Sequence, residues 1–323
     1  MRILVTGGAG FIGSCFVHFI TNSAESAISS IRVLDNLTYA GNLDNLKGVN
    51  STAFEFIKGD ICDPMSALQA TRNIDVVFHF AAESHVDRSI YSPYLFTTTN
   101  VLGTQTLLEA ALKNNVSTFI YISTDEVYGS IREGSWDESC LLMPNSPYAA
   151  SKASGEMIAL SYLRTFGMDV RVTRCSNNYG PRQNPEKFIP RMITNLLMEK
   201  PIPIYGDGQN IREWIHVEDH CRALRLVLEI GKAGGIYNIG SGCEKTNIEV
   251  AKEVLMVLGL EEDRITFVQD RKGHDFRYSL DWSQSRNLLG FTPEIDFKIG
   301  IRSTVEWYAS EHKWWRNVIG YSS

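Results

Sequence analysis

The sequence lacks several features that would define other classes of protein. It has no apolar run of the roughly 18 residues that a membrane helix requires, and residues 1–7 read as a strand and turn rather than as a signal peptide. Basic residues are not in excess, since 37 Asp and Glu outnumber 31 Lys and Arg, for a net charge of −6. These absences predict a soluble protein that binds neither membranes nor nucleic acids.

Cysteine is also sparse and unpatterned. The 6 cysteines are far apart and form no C-x-x-C pair, which fits reduced thiols better than a disulfide framework. Together with the missing leader, this predicts a cytoplasmic location. What the chain does have is 323 residues with 44% hydrophobic content, enough for one large domain or two modest ones.

Short β-branched runs alternate with helical patterns through the first half of the chain. The runs are nearly continuously apolar, as in a parallel sheet that helices cover on both sides. Strands are predicted at residues 2–6, 31–35, 54–58, 76–80, 119–123 and 170–174, with helices such as 12–22 and 98–114 between them. This alternation predicts an α/β fold with a doubly wound parallel sheet, the Rossmann arrangement.

The rhythm changes after about residue 175. Residues 177–190 are rich in Asn, Pro and Gly, which predicts a loop. Beyond it, helices predicted at 191–199, 218–230 and 247–259 alternate with short strands at 202–205 and 235–239. We therefore predict a Rossmann domain at residues 1–176 and a smaller C-terminal α/β lobe at 177–323, some segments of which return to the main sheet.

A glycine motif follows the first predicted strand and opens the first helix. Gly7 permits the tight turn, Gly10 lets the backbone approach a pyrophosphate, and Gly13 allows close packing of helix on strand. The helix start, with Phe11 and Ile12, adds N–H groups and a positive dipole end for phosphates. Such a motif also occurs in ordinary glycine-rich turns, but between a strand and a helix it predicts a dinucleotide site.

Asp35 ends the second predicted strand. A carboxylate there can accept hydrogen bonds from the adenosine ribose and would repel a 2′-phosphate. Its neighbours Asn36 and Thr38 provide no cation for that phosphate, so NAD is favoured over NADP. Asp35 could instead cap a turn. Asp60, before Ile61 at the end of the third strand, suits an adenine contact or a turn equally.

Tyr148 and Lys152 are four residues apart, which places them on one face of a helix. A tyrosine with its ordinary pKa of about 10 is a poor base at neutral pH, but a nearby ammonium and a positive nicotinamide ring would lower that pKa. The spacing is common by chance, and a surface pair is the alternative. Behind a dinucleotide motif, and after the predicted strand end at Ser123, it predicts a catalytic pair.

The glycine motif and the Tyr-x-x-x-Lys pair resemble the extended short-chain dehydrogenases. Four segments make the resemblance more specific, because they resemble the dTDP-glucose 4,6-dehydratase family in particular: residues 35–42, 79–89, 123–129 and 177–181. The resemblance to this family runs nearly end to end through the chain. Asp125 beside Glu126 is the specific part. Related families have other residues at these two positions. Epimerases carry small residues, GDP-mannose dehydratases and decarboxylases carry a Ser-Glu pair, and CDP-glucose dehydratases carry an Asp-Lys pair.

The resemblance implies an NAD-dependent dehydration. Tyr148 takes the proton of the sugar 4-hydroxyl while hydride passes to NAD, and Thr124 binds the 4-oxygen. Glu126 then removes the hydrogen on carbon 5 and Asp125 protonates the departing 6-hydroxyl, which requires neighbouring carboxyl groups with different pKa values. The hydride then returns to carbon 6 and carbon 5 is reprotonated, giving a 4-keto-6-deoxy sugar and NAD. A capped turn is the alternative interpretation of the dyad.

The resemblance also implies which residues surround each ligand. Those for NAD are Gly7, Gly10, Phe11, Ile12, Gly13, Asp35, Asn36, Thr38, Asp60, Ile61, Ala81, Ala82, Tyr148 and Lys152. Those for the nucleotide sugar are Ser84, Asn177, Lys187, Phe188, Tyr205, Arg212, Asn247, Arg271, His274 and Tyr278. Arg212 and Arg271 suit a diphosphate, because guanidinium offers forked donors. Any one of these residues alone could be ordinary surface charge or turn chemistry.

Further residues have simpler interpretations. Helices at 98–114 and 150–166 resemble the pair that forms a four-helix homodimer interface in this family, which implies a homodimer. His216 and His220 have the i,i+4 spacing of metal-binding helices, but no further ligand pattern accompanies them, so no metal is predicted. Glu213 stands where the family often has Asp, and we expect no functional effect. Trp314 and its neighbour are expected to anchor packing.

Two other functions remain to be considered. A UDP-sugar 4-epimerase or decarboxylase would share Tyr148 and Lys152 but would have no use for Asp125 beside Glu126. A cofactor-sensing or scaffold protein would need neither pair. Between dTDP-glucose and UDP-glucose the sequence leaves the choice open, because the bases differ by one methyl group, worth about 1–3 kcal/mol in an apolar pocket. The pathway that uses the product is equally open.

Overall fold

The strands form at β-branched and aromatic runs. The computed structural model describes residues 1–22, 28–49, 53–270 and 273–320. In chain order the strands are β1 (Arg2–Thr6), β2 (Ser30–Asp35), β3 (Phe54–Lys58), β4 (Val76–His79), β5 (Thr118–Thr124), β6 (Asp169–Cys175), β7 (Asn177–Tyr179), β8 (Ile202–Tyr205), β9 (Ile211–His216), β10 (Ile236–Ile239), β11 (Glu244–Thr246) and β12 (Ile265–Val268).

A seven-stranded parallel sheet, in the order β10-β6-β5-β4-β1-β2-β3, forms the centre of the molecule. The winding reverses between β1 and β4, so the carboxyl ends of these two strands border a crevice of the kind in which α/β sheets bind ligands. Two smaller sheets, β11-β9-β7 and β12-β8, belong to the C-terminal half. The predicted doubly wound α/β fold with a smaller C-terminal part is confirmed.

Helices begin at recognisable local signals. Asp63 and Ser146 each cap a helix whose first residue is proline. The α-helices are α1 (Phe11–Asn22), α2 (Pro64–Thr71), α3 (Val86–Tyr91), α4 (Pro93–Thr97), α5 (Thr104–Lys113), α6 (Pro147–Phe166), α7 (Phe188–Leu197), α8 (Val217–Ile230), α9 (Asn247–Leu258), α10 (Ser283–Leu289), α11 (Phe297–Ser310) and α12 (His312–Val318). Within the described ranges, none is long and apolar enough to cross a membrane.

Apolar clusters cover both faces of the main sheet. Val5 of β1 belongs to a cluster with Phe16 of α1 and Leu224 of α8. Leu4, its neighbour in the strand, points to the other face and belongs to a cluster with Leu107 of α5. A third cluster fills the C-terminal part between α7, α9 and α11. The two-sided burial explains why the central strands β1, β4 and β5 are largely apolar.

The structure differs from the sequence-based predictions in two elements. Residues 177–190 are not all loop, because β7 pairs there in parallel with β9, a strand that was not predicted. The predicted helix at 98–114 is π-helical over Thr98–Gly103 and α-helical only as α5. Separately, β10 lies at the edge of the main sheet beside β6, so the chain returns to that sheet, and the division at residue 176 stays a prediction.

Candidate active site

The glycine loop lies at the carboxyl end of β1. Gly7 has a φ of +68°, and a Cβ atom there would lie 2.7 Å from the amide nitrogen of Ala81. A Cβ atom on Gly13 would collide with the carbonyl oxygen of Gly7, so α1 packs tightly against the loop. On Gly10, a Cβ atom would meet that same carbonyl at 3.2 Å and otherwise face the cavity. The loop thus presents bare backbone at a helix N-terminus, which fits a pyrophosphate.

Asp35 supports this loop and also faces the cavity. Its Oδ2 atom accepts a hydrogen bond from the Ala9 amide at 2.9 Å, and its Oδ1 atom accepts one from the Leu37 amide at 2.8 Å. Asp60 accepts a hydrogen bond from the Asn36 side chain at 2.9 Å and lines the same cavity. Each carboxylate therefore combines the two roles, turn residue and candidate ligand contact, that the sequence left open.

The last helix braces the glycine loop from outside. The Trp314 indole N–H donates to Oδ1 of Asn45 at 2.9 Å, and the Asn45 amide group donates to the carbonyl oxygen of Ala9 at 2.9 Å. Trp315 is fully buried and its indole N–H donates to the carbonyl oxygen of Tyr308 at 2.8 Å. The two tryptophans pack as expected, and Trp314 also connects α12 to the candidate cofactor site.

A cavity of about 370 Å³ gathers the predicted cofactor residues at the switch point between β1 and β4. All of the residues predicted for NAD line it, together with Thr124, Asp125 and Glu126. Sequence reasoning missed other lining residues, and those at or just after the carboxyl ends of β4 and β6 could have been found by that position. The missed residues are Leu34, Ala40, Gly41, Gly59, Phe80, Glu83, Leu95, Thr99, Ile122, Ser123, Cys175, Ser176, Asn178, Gln183, Asn184 and Glu186.

Tyr148 and Lys152 lie one turn apart on α6 and both line the cavity. Nζ of Lys152 donates to the carbonyl oxygen of Ile122 at 2.7 Å, and burial lowers the pKa of this lysine to about 8. Burial also raises the pKa of the Tyr148 phenol well above its ordinary value, and the charge of Glu126 adds to the rise. The protein alone therefore raises this pKa, so the lowering predicted from the nearby lysine is wrong for the protein without cofactor; a positive nicotinamide ring in the cavity would oppose the rise.

Asn100 fastens the helix that carries this pair. Its Nδ2 atom donates to Oγ of Ser151 at 2.8 Å and to the carbonyl oxygen of Glu83 at 3.0 Å, while its Oδ1 atom accepts from the Glu83 amide at 2.8 Å. The π-helical segment Thr98–Gly103 presents Asn100, and such segments often occur at functional sites. The hydrophobic periodicity of the sequence did not reveal this π-helical segment. Over a short stretch, that periodicity does not distinguish an α-helical turn from the wider π-helical turn.

The acidic dyad begins a 3₁₀ turn, Asp125–Tyr128, directly after β5. Oγ1 of Thr124 caps the turn by accepting from the Glu126 amide at 3.3 Å, and it donates to Asp125 at 3.1 Å. Asp125 is 2% exposed, and burial, followed by the charge of Glu126, raises its pKa well above the usual value. Glu126 is partly exposed to the cavity. The two carboxyl groups thus have the separate environments that an acid and a base require.

A second cavity, of about 190 Å³, adjoins the first. Ser84, Glu126, Asn177 and Lys187 line both, so Glu126 stands where the two meet. Apart from Arg271, which lies outside the described residues, the second cavity collects every residue predicted for the nucleotide sugar: Ser84, Asn177, Lys187, Phe188, Tyr205, Arg212, Asn247, His274 and Tyr278.

Two cations stand in the wall of this second cavity. The Arg212 guanidinium is buried, lies 4.4 Å from the centre of the Tyr278 ring, and donates to the carbonyl oxygen of Asp275 at 2.9 Å. Nζ of Lys187 donates to the carbonyl oxygen of Ser84 at 2.6 Å. Side chains held in this way offer a diphosphate positive charge at fixed positions.

Glu213 proves to be a structural anchor behind Arg212. Its Oε1 atom accepts from the amides of Ser241 and Gly242 at 2.7 and 2.8 Å, and its Oε2 atom accepts from the Leu280 amide at 2.9 Å. Burial of this carboxylate is therefore matched by three backbone donors. The sequence analysis did not predict this role.

His216 and His220 have structural partners. His216 caps the start of α8, and the fully buried ring of His220 pairs through Nδ1 with the Asn178 side chain at 2.9 Å. Over the described ranges, no cluster of three or more His, Cys, Asp or Glu side chains is arranged to hold a metal ion.

The Rossmann sheet, the Tyr–Lys pair on one helix and the adjoining second cavity define an enzyme of the extended short-chain dehydrogenase type. The sequence model of the family described as GDP-mannose 4,6 dehydratase matches residues 4–304. Over 322 residues the chain is 52% identical to the dTDP-glucose 4,6-dehydratase of Actinoplanes sp., covering 98% of this chain and 100% of that relative. The chain belongs to the dTDP-glucose 4,6-dehydratase family, within the sugar epimerases and dehydratases.

Solved structures give the same result. The dTDP-glucose 4,6-dehydratase DesIV of Streptomyces venezuelae, with NAD and TYD bound, is 51% identical with a TM-score of 0.95, over 98% of this chain and 100% of that one. A UDP-glucose 4-epimerase of Thermotoga maritima, with UDP-glucose, is 31% identical with a TM-score of 0.89, over 96% and 99%. Because both share the fold, the residues of the site must separate the two reactions.

Proposed function

We propose that the chain catalyses the NAD-dependent dehydration of dTDP-glucose to dTDP-4-keto-6-deoxyglucose. The proposal depends most on buried Asp125 beside cavity-facing Glu126, at the point where the two cavities meet. Epimerisation at carbon 4 needs oxidation and reduction there but no acid–base pair for carbons 5 and 6. The dTDP-glucose relatives and the solved relative with NAD and TYD support the choice of nucleotide and cofactor.

The chemistry that bound NAD supplies is acceptance of a hydride from carbon 4, a positive charge beside the Tyr148 phenol, and return of the hydride to carbon 6. Tyr148 takes the proton of the 4-hydroxyl, and Thr124 binds the 4-oxygen. The resulting ketone acidifies the hydrogen on carbon 5, which Glu126 removes. Asp125, whose pKa burial raises, gives its proton to the hydroxyl that leaves carbon 6, and Glu126 returns its proton to carbon 5 after the hydride has been added to carbon 6.

Incubation of the purified protein with dTDP-glucose and, separately, with UDP-glucose tests the function. Mass spectrometry should show loss of one water from dTDP-glucose, and the rate with UDP-glucose should be roughly tenfold or more lower if an apolar pocket holds the thymine methyl. A 4-epimer of unchanged mass would identify an epimerase instead.

We further propose that the protein is a homodimer. Tyr91 of α3, Tyr94 of α4, Leu102 of the π-helical segment and Met157 of α6 are exposed by 86%, 83%, 53% and 57%, and these segments pack on one another. Large apolar side chains on adjoining helices favour association. Light scattering should find a dimer that Tyr94→Asp with Leu102→Asp converts to a monomer. Met256→Asp, on the solvent-exposed face of α9, should leave the mass unchanged.

A cytoplasmic location also stays a proposal. It is supported by the cysteines, all of which are free, with Cys15, Cys62, Cys140 and Cys243 partly exposed. Thiols of this kind persist in a reducing compartment. Fractionation of the source cells, followed by immunodetection, would decide it.

A further inference from the structure

The segment that follows β2 forms a thin wall between two cavities. Thr38, Ala40 and Gly41 line the candidate NAD cavity. On the other side, Tyr39, Ala40 and Gly41 line a separate cavity of about 380 Å³, whose remaining walls include Arg182 and residues of α12. Because open space lies behind the wall, residues 38–41 have room to move away from the NAD cavity.

Tyr39 links this wall to the opposite side of the NAD cavity. The Arg88 guanidinium lies 3.6 Å from the centre of the Tyr39 ring, and its Nη2 atom lies 3.2 Å from Oε2 of Glu186. The Asn184 side chain donates to the carbonyl oxygen of Tyr39 at 3.4 Å. Asn184 and Glu186 line the NAD cavity from the far side. These contacts therefore join the two walls between which the dinucleotide would lie.

The environment of Tyr39 keeps its ring neutral and in place. Burial raises the pKa of the phenol, and the nearby charges of Glu186 and Glu83 raise it further. A guanidinium stacked on a partly buried ring gains both an electrostatic and an apolar contact. Arg88 thus holds Tyr39 and Glu186 together, although its own side chain is 51% exposed.

We propose that Tyr39, Arg88 and Glu186 form a clasp that keeps the dinucleotide in the protein between the two hydride transfers. The proposal rests on the proposed function, because a reaction that returns its hydride requires the reduced cofactor to stay. Departure of the dinucleotide past residues 38–41 separates Tyr39 from Arg88. Tyr39 and Arg88 are positioning residues, since the lining of the NAD cavity includes neither.

The rate of NADH release tests the clasp without any use of dehydratase activity. Protein loaded with NADH is mixed rapidly with excess NAD, and energy transfer from tryptophan to bound NADH is followed until it is lost. Tyr39→Ala and Arg88→Ala should each release NADH about tenfold faster, because each removes the stacked contact. Tyr39→Phe keeps the ring beneath Arg88 but loses the hydrogen bond between the phenol and Glu186, so its release of NADH should be slower than that of Tyr39→Ala and faster than that of the wild type.

The double variant shows whether the two residues act together. Tyr39→Ala with Arg88→Ala should release NADH more slowly than the product of the two single effects predicts, since the stacked contact is removed by either substitution alone. Arg225→Ala is the matched control, because it breaks an ion pair with Glu229 that is 2.7 Å long and lies on the solvent-facing side of α8. Its release rate should equal that of the wild type, and melting temperatures with saturating NAD should show that every variant is folded.

Several outcomes would overturn the clasp. A folded Arg88→Ala variant that releases NADH at the wild-type rate would overturn the proposal. Because the Arg88 side chain is half exposed, we expect this variant to fold even if Tyr39→Ala does not. Effects of the two substitutions that simply add would also overturn the proposal. A wild-type protein that retains NADH but does not dehydrate dTDP-glucose would refute the proposed function and leave the clasp standing. One that binds no NADH would overturn both.

Discussion

Two adjacent residues with the same functional group differ here because of their surroundings. Asp125 is almost completely buried, and Thr124 donates a hydrogen bond to it, whereas Glu126 faces the junction of two cavities. Burial raises the pKa of the Asp125 carboxyl group, whereas the Glu126 carboxyl group is open to a substrate. A single 3₁₀ turn thus places two neighbouring carboxyl groups in the different environments that acid and base catalysis require.

Glu126→Gln should separate oxidation from dehydration. Glutamine keeps the size of the side chain but cannot act as a base, so loss of water should slow by about a hundredfold to ten-thousandfold. Hydride transfer at carbon 4 should continue, and rapid-mixing absorbance should show bound NADH accumulating. Tyr148→Phe, as the comparison, should abolish that NADH signal. Loss of water at the wild-type rate in Glu126→Gln would show that Glu126 is not the base.

Asp125→Asn should increase stability while it decreases activity. Because burial raises the pKa of Asp125, the folded protein binds this proton more tightly than the unfolded chain does. The resulting contribution to stability is complete below a pH of about 4 and is lost as the pH rises towards the folded-state pKa. Asparagine has no proton to lose. The melting temperature of the variant should therefore exceed that of the wild type by a margin that grows with pH, and a margin independent of pH would contradict the assignment.

The residues of the candidate site could be predicted from the sequence better than the contacts that those residues make. Tyr148 and Lys152 were identified by their spacing, and Gly7 by its place after a strand. The stacking of Arg88 on Tyr39 was not, because it depends on how distant segments dock. The raised pKa of Tyr148 was missed for the same reason, since burial is a property of the folded chain.

At the scale of helices and strands, a buried ion pair connects α6, the helix that carries Tyr148 and Lys152, to the main sheet. Arg174 of β6 and Glu156 of α6 are 3% and 1% exposed, and Nε of the arginine lies 3.2 Å from each carboxylate oxygen. The same guanidinium donates to the Tyr128 hydroxyl at the end of the dyad turn, and that hydroxyl donates to Asn238 at 2.9 Å. One arginine therefore sets the helix with Tyr148 and the turn with the dyad relative to each other.

Glu156→Ala should destabilise the protein by about 3–5 kcal/mol, because it leaves the Arg174 charge buried without its partner. Urea unfolding with and without NAD measures the change. Replacement of both residues, Arg174→Met with Glu156→Leu, should recover much of the loss, since no buried charge remains. As the control, Glu229→Ala breaks an exposed pair with Arg225 and should cost less than about 1 kcal/mol. A loss of that small size in Glu156→Ala would refute the role of the pair.

The elements that sequence reasoning found are those with an uninterrupted apolar pattern. β1 matches its predicted bounds and β5 extends one residue beyond them at each end, because each is a nearly continuous apolar run that packs into the sheet. β9 was missed because Arg212 and Glu213 interrupt its pattern. Both side chains are buried all the same, since the ring of Tyr278 and three backbone amides provide their partners.

For the whole molecule, a hydride that is returned in each cycle means that the cofactor is not consumed. The purified protein should therefore contain NAD and should turn over without any added. Removal of NAD should lower the melting temperature. Addition of NAD at a hundred times its dissociation constant should raise the free energy of unfolding by about 2.7 kcal/mol. NADP at the same concentration should restore little, because Asp35 would repel its 2′-phosphate. A continuous requirement for an external oxidant would contradict the scheme.

The overall architecture could be predicted because strand–helix alternation leaves few possible topologies. The second cavity could not be derived from pattern alone. Its residues come from α3, β7, β9 and the segments around α7 and α9, and their convergence depends on how β9 adds to β7. The family resemblance named these residues, and the structure shows which walls they form.

The brace from Trp314 through Asn45 to Ala9 affects the order in which the protein matures as it is synthesised. The ribosome makes the glycine loop well before the indole that completes its support, which follows 269 residues after Asn45. A nascent chain consequently contains this loop long before the loop has its full support. Tight cofactor capture then waits until α12 has been synthesised, and a product that terminates before α12 would lack the brace and be marked as incomplete by its poor hold on NAD.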